Sequence, residues 1–254
     1  MPSLLRIRSY LSRLKRNIIP AEASSGSARS QKHIPRDWLL DAKSMLGEQP
    51  CGLMIDGGSY RGDVCERMAR HFPSNQIHAF EPNGELFGRL ASRFVGSDNV
   101  TCHHAAISSQ SGESTFHVTS RPDCASLLPP GESAMRWHGD IMEVCREDLV
   151  TTVRLDDLFD NQDVALMKLD LQGHELDALR GSEELLRRTK IVVTEVAFIP
   201  LYEGQALFCD VAKQLGRHHF RLLHLSDVWI RPSGQLTQAD AMFVNEVHFP
   251  LAER

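Results

Sequence analysis

No segment of this chain approaches the ~20 consecutive apolar residues that a bilayer-spanning helix needs. The N-terminal stretch also lacks the unbroken apolar centre of a signal peptide. The six cysteines (51, 65, 102, 124, 145 and 209) contain no Cys-x-x-Cys pair and no zinc-like spacing. Several lie in apolar, strand-like or helix-like surroundings, which predicts reduced thiols and a cytoplasmic setting. No internal repeat occurs at a solenoid period. A net charge of −5 gives no overall nucleic-acid signal. The dinucleotide fingerprint is incomplete too: if Gly57 is its first glycine and Gly62 its sixth position, the third is Ser59. What remains is a composition ordinary for a soluble globular protein, 42% hydrophobic and 24% charged. Its 254 residues suffice for one large α/β domain with an N-terminal extension.

The stretch that organises the chain is Leu53-Met54-Ile55-Asp56-Gly57-Gly58-Ser59-Tyr60-Arg61-Gly62-Asp63. A short apolar run ends in an acid, a glycine-rich turn follows, and Val64, Met68 and Phe72 then recur at helical spacing. A second apolar run ends in Ala79-Phe80-Glu81-Pro82. This is the first half of a nucleotide-binding βαβ unit, with glycines that let the backbone approach a ligand and free N–H groups at the helix start. An acid placed before the glycines would repel a pyrophosphate. It suits a cationic ligand, such as the ammonium or sulfonium of S-adenosylmethionine (SAM). Glu81, 25 residues after Asp56, is placed to accept hydrogen bonds from both ribose hydroxyls. The plainer alternative makes Asp56 a helix cap and Glu81 a turn acid, but propensity alone rarely sets acids at two consecutive strand ends. SAM is the expected cofactor.

Residues 3–19 carry Leu4, Ile7, Leu11, Leu14 and Ile18 as a helical stripe, with Arg6, Arg8, Arg13, Lys15 and Arg16 and no acid. This basic amphipathic helix either attaches weakly to an anionic membrane surface or packs on the domain or a partner chain. Residues 20–32 read as a flexible linker, so the expected organisation is 1–34 as helix and linker and 35–254 as the main domain. A helix is expected from about 35 to 46, with Trp38, Leu39 and Ala42 on its apolar side. Strands follow at 51–56, 76–80 and near 99–106, with helices at 61–72 and 83–95, and Gly112 opens a strand at 114–119. Residues 120–148, with Pro122, Pro129, Pro130 and Gly131, read as a long irregular loop that covers the cofactor and shapes an acceptor pocket. Val150–Leu158 reads as a strand running into a short helix. Residues 164–170 read as an apolar, acid-tipped central strand, and Leu176, Leu179, Leu185 and Leu186 mark helix beyond it. Ile191–Glu195 is the next acid-tipped strand, and a helix follows near 203–215. The last strands, about 219–230 and 240–248, are joined too closely for a crossover and must be antiparallel. A parallel sheet with helices on both faces that closes with an antiparallel hairpin is the Rossmann-like arrangement typical of class I SAM-dependent methyltransferases.

With these residues in place, the chain resembles the FkbM-type family of SAM-dependent methyltransferases over roughly residues 51–246. The family's Asp-x-Gly-Ala-Asn-x-Gly loop is matched by Asp56, Gly58 and Gly62, with Ser59 at the Ala position. Its Phe-Glu-Pro motif is matched by Phe80-Glu81-Pro82, and its Asn-Val to Ala-Leu stretch is similar to Asn99-Val100 through Ala106-Ile107. Ser126-Leu127 and Leu155-Asp156-Asp157-Leu158 resemble two further elements. The most specific match is Lys168, Asp170, Gln172, Gly173, Glu175, Leu179 and Gly181, in order and at the family's spacing. Tyr60 stands where the family usually has Asn, and Gly57 where it has an aliphatic residue.

The resemblance implies methyl transfer to an oxygen, on a sugar, a lipopolysaccharide-type glycan or a secondary metabolite. N-methylation of a small amine or peptide, or a non-catalytic SAM-binding scaffold, are the alternatives. The cofactor-binding set is expected to be Asp56, Gly57, Gly58, Ser59, Gly62, Glu81, Pro82, Ala106, Ile107, Ser126 and Asp170. Within it Asp56 and Gly58 would face the methionine end, Glu81 the ribose, and Ala106-Ile107 the adenine edge. Asp170, at the tip of its strand, would face the reaction centre. His174, whose ordinary pKa lies near working pH, is the candidate general base, against a solvent-facing first-turn position. Glu175 joins the catalytic set, against a first-turn acid favoured by the helix dipole. Lys168 would pair with a neighbouring acid, and Glu195 could join Asp170 on an acceptor hydroxyl or a divalent metal. No spacing makes a metal compelling. His103-His104 and His218-His219 are adjacent strand residues that point to opposite faces, so neither pair is a ligand site.

Overall fold

The computed structural model describes residues 36–48 and 52–250. The expected basic helix at 3–19 and the linker after it lie outside the described residues. Among the described residues no helix is long and apolar enough to cross a membrane.

Helix α1 (Trp38–Leu46) is capped by Asp37, whose carboxylate accepts from Leu39 N at 3.0 Å. Strand β1 (Leu53–Gly57) leads into α2 (Asp63–His71), then β2 (Ile77–Phe80), α3 (Gly84–Arg93) and β3 (Val100–His103). Asn83 caps α3 by accepting from Glu85 N and Leu86 N. After an insertion come β7 (Val164–Leu169), α6 (Glu175–Arg180), α7 (Glu183–Leu186), β8 (Thr189–Ala197), α8 (Phe208–Gly216), β9 (Phe220–Ile230) and β10 (Leu236–Asn245). The main sheet has seven strands in the order β3-β2-β1-β7-β8-β10-β9. Strands β1, β2, β3, β7 and β8 pair in parallel, and β10 runs antiparallel to both its neighbours. The sheet is thus the expected parallel one closed by an antiparallel hairpin.

Strands β1 and β7 are buried along their whole length, which is why they read as unbroken apolar runs. Alternate residues feed two cores. Ile55, Phe80, Met167 and Val192 meet Leu179, Leu185, Val211 and Leu215 from α6, α7 and α8. Met54, Leu166, Val193 and Met242 meet Trp38, Leu39, Cys65 and Met68 from α1 and α2. Chain order reverses between β1 and β7, and at such a switch point the loops leaving the two strands part and open a crevice.

The insertion between β3 and β7 differs from its expected form. The strand anticipated over 99–106 breaks at His104-Ala105, and β4 (Ala106–Ile107) joins a separate sheet with β5 (Gly112–Thr119) and β6 (Val144–Val153), in the order β4-β6-β5. The region 120–148 is not irregular: it holds α4 (Glu132–His138), two short 3₁₀ turns and the first half of β6. Arg146, Glu147 and Asp148 are polar and β6 is largely exposed there, so no apolar alternation betrays the strand. A short α5 (Leu155–Leu158) leads back to β7. Further along, α8 starts at Phe208 rather than near 203, and β10 starts at Leu236 rather than 240.

Candidate active site

At the switch point the chain must turn sharply after β1. Gly58 takes φ +73°, and a Cβ there would overlap the carbonyl oxygen of Asp170. Only glycine lets the β1 and β7 turns approach this closely. Gly58 N and Ser59 N both donate to Phe80 O, and Ser59 Oγ donates to Asp56 O at 2.7 Å. Tyr60, at the family's Asn position, takes φ +52°, a conformation that Asn adopts more readily than a bulky side chain. Its N–H donates to Glu81 Oε2 at 2.8 Å, while Asn83 N donates to Oε1 at 2.9 Å. One backbone donor per oxygen orients the Glu81 carboxylate and leaves each oxygen a second acceptor direction. Burial lifts Glu81 to about 7, with the two backbone N–H groups pulling the other way.

A cavity of about 290 Å³ opens above this turn. Gly58, Ser59 and Tyr60 form its floor, and Glu81 and Asp170 its acidic walls. Ala105, Ala106 and Ile107 make an apolar end beyond Pro82, Ala125, Leu127 and Asp123 from the insertion add to the lining, and Lys168 reaches it beside Asp170. This pairing of an apolar slot with carboxylates that have spare acceptor capacity fits SAM, whose adenine is flat and whose ribose and sulfonium are donor-rich or cationic. Asp56, Gly57, Gly62, Ser126 and Glu175 stand behind the lining rather than on it.

Each of these has a structural place. Asp56 is fully buried, and neither of its carboxylate oxygens has a hydrogen-bond partner. Lys168 Nζ stands 3.7 Å from Asp56 Oδ1 and 3.5 Å from Asp170 Oδ2. Burial raises Asp56 while Lys168 opposes that rise. Burial works against the Lys168 charge, but Asp170 and Asp56 outweigh it and leave its pKa raised. Lys168 is therefore a fixed cation. Glu175 Oε1 accepts from Leu171 N at 2.8 Å and Gly173 N at 3.1 Å, so it closes the turn after β7. Burial lifts Glu175 to about 7. His174 lines the cavity, with Nε2 3.0 Å from Ser108 Oγ, directly after Ile107 at the apolar end. Burial lowers its pKa, with Asp177 opposing.

Ser126 and Gln172, both in the expected motifs, and Tyr202, which the sequence alone does not single out, hold the insertion on the site. Ser126 Oγ donates to Gln172 O at 2.8 Å. Gln172, at φ +53°, donates through Nε2 to Asp170 Oδ1 at 2.7 Å. The Tyr202 hydroxyl lies 2.9 Å from Gln172 Oε1 and 3.0 Å from Cys124 O, and has one proton for the two acceptors. The sheet edge carries one more acid. Asp240 on β10 lies directly opposite Glu195 on β8 and, on its other side, Ser226 on β9. Burial first, then Asp170, raises Asp240 to about 6. Burial together with Asp170, Glu175 and Asp240 holds Glu195 well above the usual carboxylate range. Glu195 and Asp240 are 45 residues apart in sequence and meet only through the strand register.

Residues 56–222 match the family model described as the methyltransferase FkbM domain. The chain is 29% identical over 168 residues to the 2-O-methyltransferase NoeI of Sinorhizobium fredii, covering 63% of this chain and 69% of that protein. It is 25% identical over 166 residues to the hexuronic acid methyltransferase AglP of Haloferax volcanii, covering 63% of this chain and 56% of that protein. Among solved structures, magnesium protoporphyrin IX methyltransferase of Synechocystis PCC 6803 with bound SAM superposes with a TM-score of 0.45 at 13% identity, over 82% of this chain and 74% of that one.

Proposed function

The chain belongs to the FkbM family of SAM-dependent methyltransferases, and on that premise we propose that it methylates a hydroxyl of a sugar or glycan. The observation that carries this reading is the cavity at the switch point, walled by Glu81 and Asp170 and closed by an apolar slot. The printed activities of NoeI and AglP support a sugar acceptor. When bound, SAM supplies an electrophilic methyl group on a sulfonium. Glu81 would accept the ribose hydroxyls, with its orientation set in advance by Tyr60 N and Asn83 N. Ala106 and Ile107 would receive the adenine, and Gly58 and Ser59 the methionine end. Asp170, oriented by Gln172 and Lys168, would face the sulfonium. Lys168, 3.7 Å from Asp56 Oδ1 and 3.5 Å from Asp170 Oδ2, would tie the two acids together and leave Asp170 as the one that faces the cation. His174, held by Ser108 beside Ile107, would border the adenine, which leaves the acceptor's proton to another group.

The reading includes work in the cytoplasm, supported by the free thiols of all five described cysteines. The basic pattern of residues 3–19 supports weak contact with an anionic membrane surface. The test is calorimetric titration with SAM followed by measurement of S-adenosylhomocysteine release in the presence of simple sugars. Binding and release are the expected result. A chain that does not bind SAM would end this reading.

A further inference from the structure

The sheet edge carries polar groups that the cofactor cavity does not use. Glu195, Asp240 and Ser226 follow one another across β8, β10 and β9, because Glu195 pairs with Asp240 and Asp240 with Ser226, and Asp170 comes directly after Leu169, which pairs with Thr194 of β8. Directly paired residues on adjacent strands share a face, so these side chains form one band beside the reaction centre. Ser226 is only 5% exposed and its Oγ has no hydrogen-bond partner, an arrangement that a purely structural hydroxyl rarely adopts. The other acids of the region are engaged. Gln172 and Lys168 hold Asp170, Leu171 N and Gly173 N hold Glu175, and the Trp38 side chain reaches Asp240.

Building on the methyltransferase reading, we propose that Glu195, Asp240 and Ser226 form the acceptor subsite. It takes an uncharged sugar through adjacent hydroxyls, and Glu195 removes the proton from the hydroxyl that is methylated. Ionised carboxylates only accept hydrogen bonds, so their complement is a donor such as a hydroxyl. Lys168 faces Glu195 as a cation, against Asp170 just past the end of β7, Asp240 on β10 and Glu175 on α6; Tyr202 and Cys124 lie close by. Once ionised, these carboxylates outnumber Lys168 and repel an anionic sugar. In the transfer the acceptor oxygen bonds to the methyl carbon and the carbon–sulfur bond breaks toward sulfur, giving the neutral thioether. The O–H electron pair stays on oxygen while the proton passes to Glu195. The same burial and like charge that disfavour an ionised Glu195 make it a stronger base.

The test uses the full chain loaded with S-adenosylhomocysteine and four probes: methyl fucoside, methyl mannoside, methyl galactoside and methyl glucuronide. Saturation-transfer NMR is expected to show at least one neutral pyranoside bound, at least about tenfold weaker binding in Asp240→Asn, and no binding of the glucuronide. With the tightest neutral sugar as acceptor, Glu195→Gln is expected to lower kcat about 100-fold while KM stays within about twofold. It should also abolish the rise of rate with pH, and Glu195→Asp should restore part of both. Unchanged SAM affinity and thermal melting in Glu195→Gln separate this from misfolding. The proposal is overturned if no neutral pyranoside binds, if the glucuronide binds more tightly than all three, or if Glu195→Gln turns over like the parent chain. In each of those cases SAM binding persists and the methyltransferase reading stands. Failure to bind SAM brings down both.

Discussion

Lys168 Nζ lies 3.7 Å from Asp56 Oδ1 at directly paired positions of β7 and β1, with neither side chain more than 8% exposed. A buried pair of this kind adds little net stability over an apolar pair, but breaking it strands a charge. Lys168→Met is expected to cost about 3 kcal/mol in urea unfolding. In Lys168→Met/Asp56→Asn the cost should be clearly less than the sum of the two single changes. Simple additivity would show that the two side chains do not act together.

Two neighbouring glycines should respond very differently to alanine. At Gly57 a Cβ would press on Ile107 Cδ1 and Leu169 Cδ2, both ends of flexible side chains. At Gly58 it would meet the Asp170 backbone at a positive φ. Gly57→Ala is expected to change stability by less than about 1 kcal/mol. Gly58→Ala should lose several times that and abolish SAM binding. Equal effects in calorimetry and thermal melting would contradict this close approach of the two turns.

Glu81→Gln is expected to weaken SAM binding by about 10- to 100-fold, the range for lost hydrogen bonds to a charged group. Glu81 titrates at about 7 in the folded protein, and its ionised form is the better acceptor. Titrations at about pH 6 and about pH 8 should therefore give tighter binding at the higher pH. The ligand-free protein carries the opposite dependence at this residue. The stability associated with protonated Glu81 is full below the unfolded value near 4.5 and is lost as pH rises through 7.

His78 Nδ1 lies 2.9 Å from His103 Nε2, and His103 stacks on Phe80 with centroids 4.3 Å apart. Burial, then the neighbouring His103, lowers His78 to about 4. A depressed folded pKa gives stability that is present above the unfolded value near 6.5 and is lost as pH falls through 4. Acid unfolding of the parent chain should exceed that of His78→Asn by about 1–2 kcal/mol between those limits, allowing for the residue's partial exposure. Parallel stability curves for the two proteins would refute the assignment.

The central strands were legible because full burial on both sides leaves a continuous apolar signature, as in Leu53–Gly57 and Val164–Leu169. The acids Asp56, Glu81 and Asp170 at or beside strand ends were legible because a charged residue ending such a run has few structural explanations. Glu195, expected to tip its strand, lies inside β8, which runs on to Ala197. The first half of β6 was not legible, since its exposed Arg146 and Glu147 and half-buried Asp148 look like loop. Nor could the chain alone reveal that Ser126 ties the insertion to Gln172. The opposition of Asp240 to Glu195 was hidden for a different reason. It depends on a register, and one residue of slip would turn Asp240 to the other face.

Strand β10 is made after β9 yet sits between β8 and β9. A ribosome-bound chain that has emerged only through residue 230 therefore cannot zip its sheet beyond β8, because the slot next to β8 is reserved for a segment still to come. Its far edge must wait until the final strand threads home, and the Asp240 carboxylate arrives with that strand. Premature termination before residue 236 would leave β8 with an open edge, ready to pair with another chain.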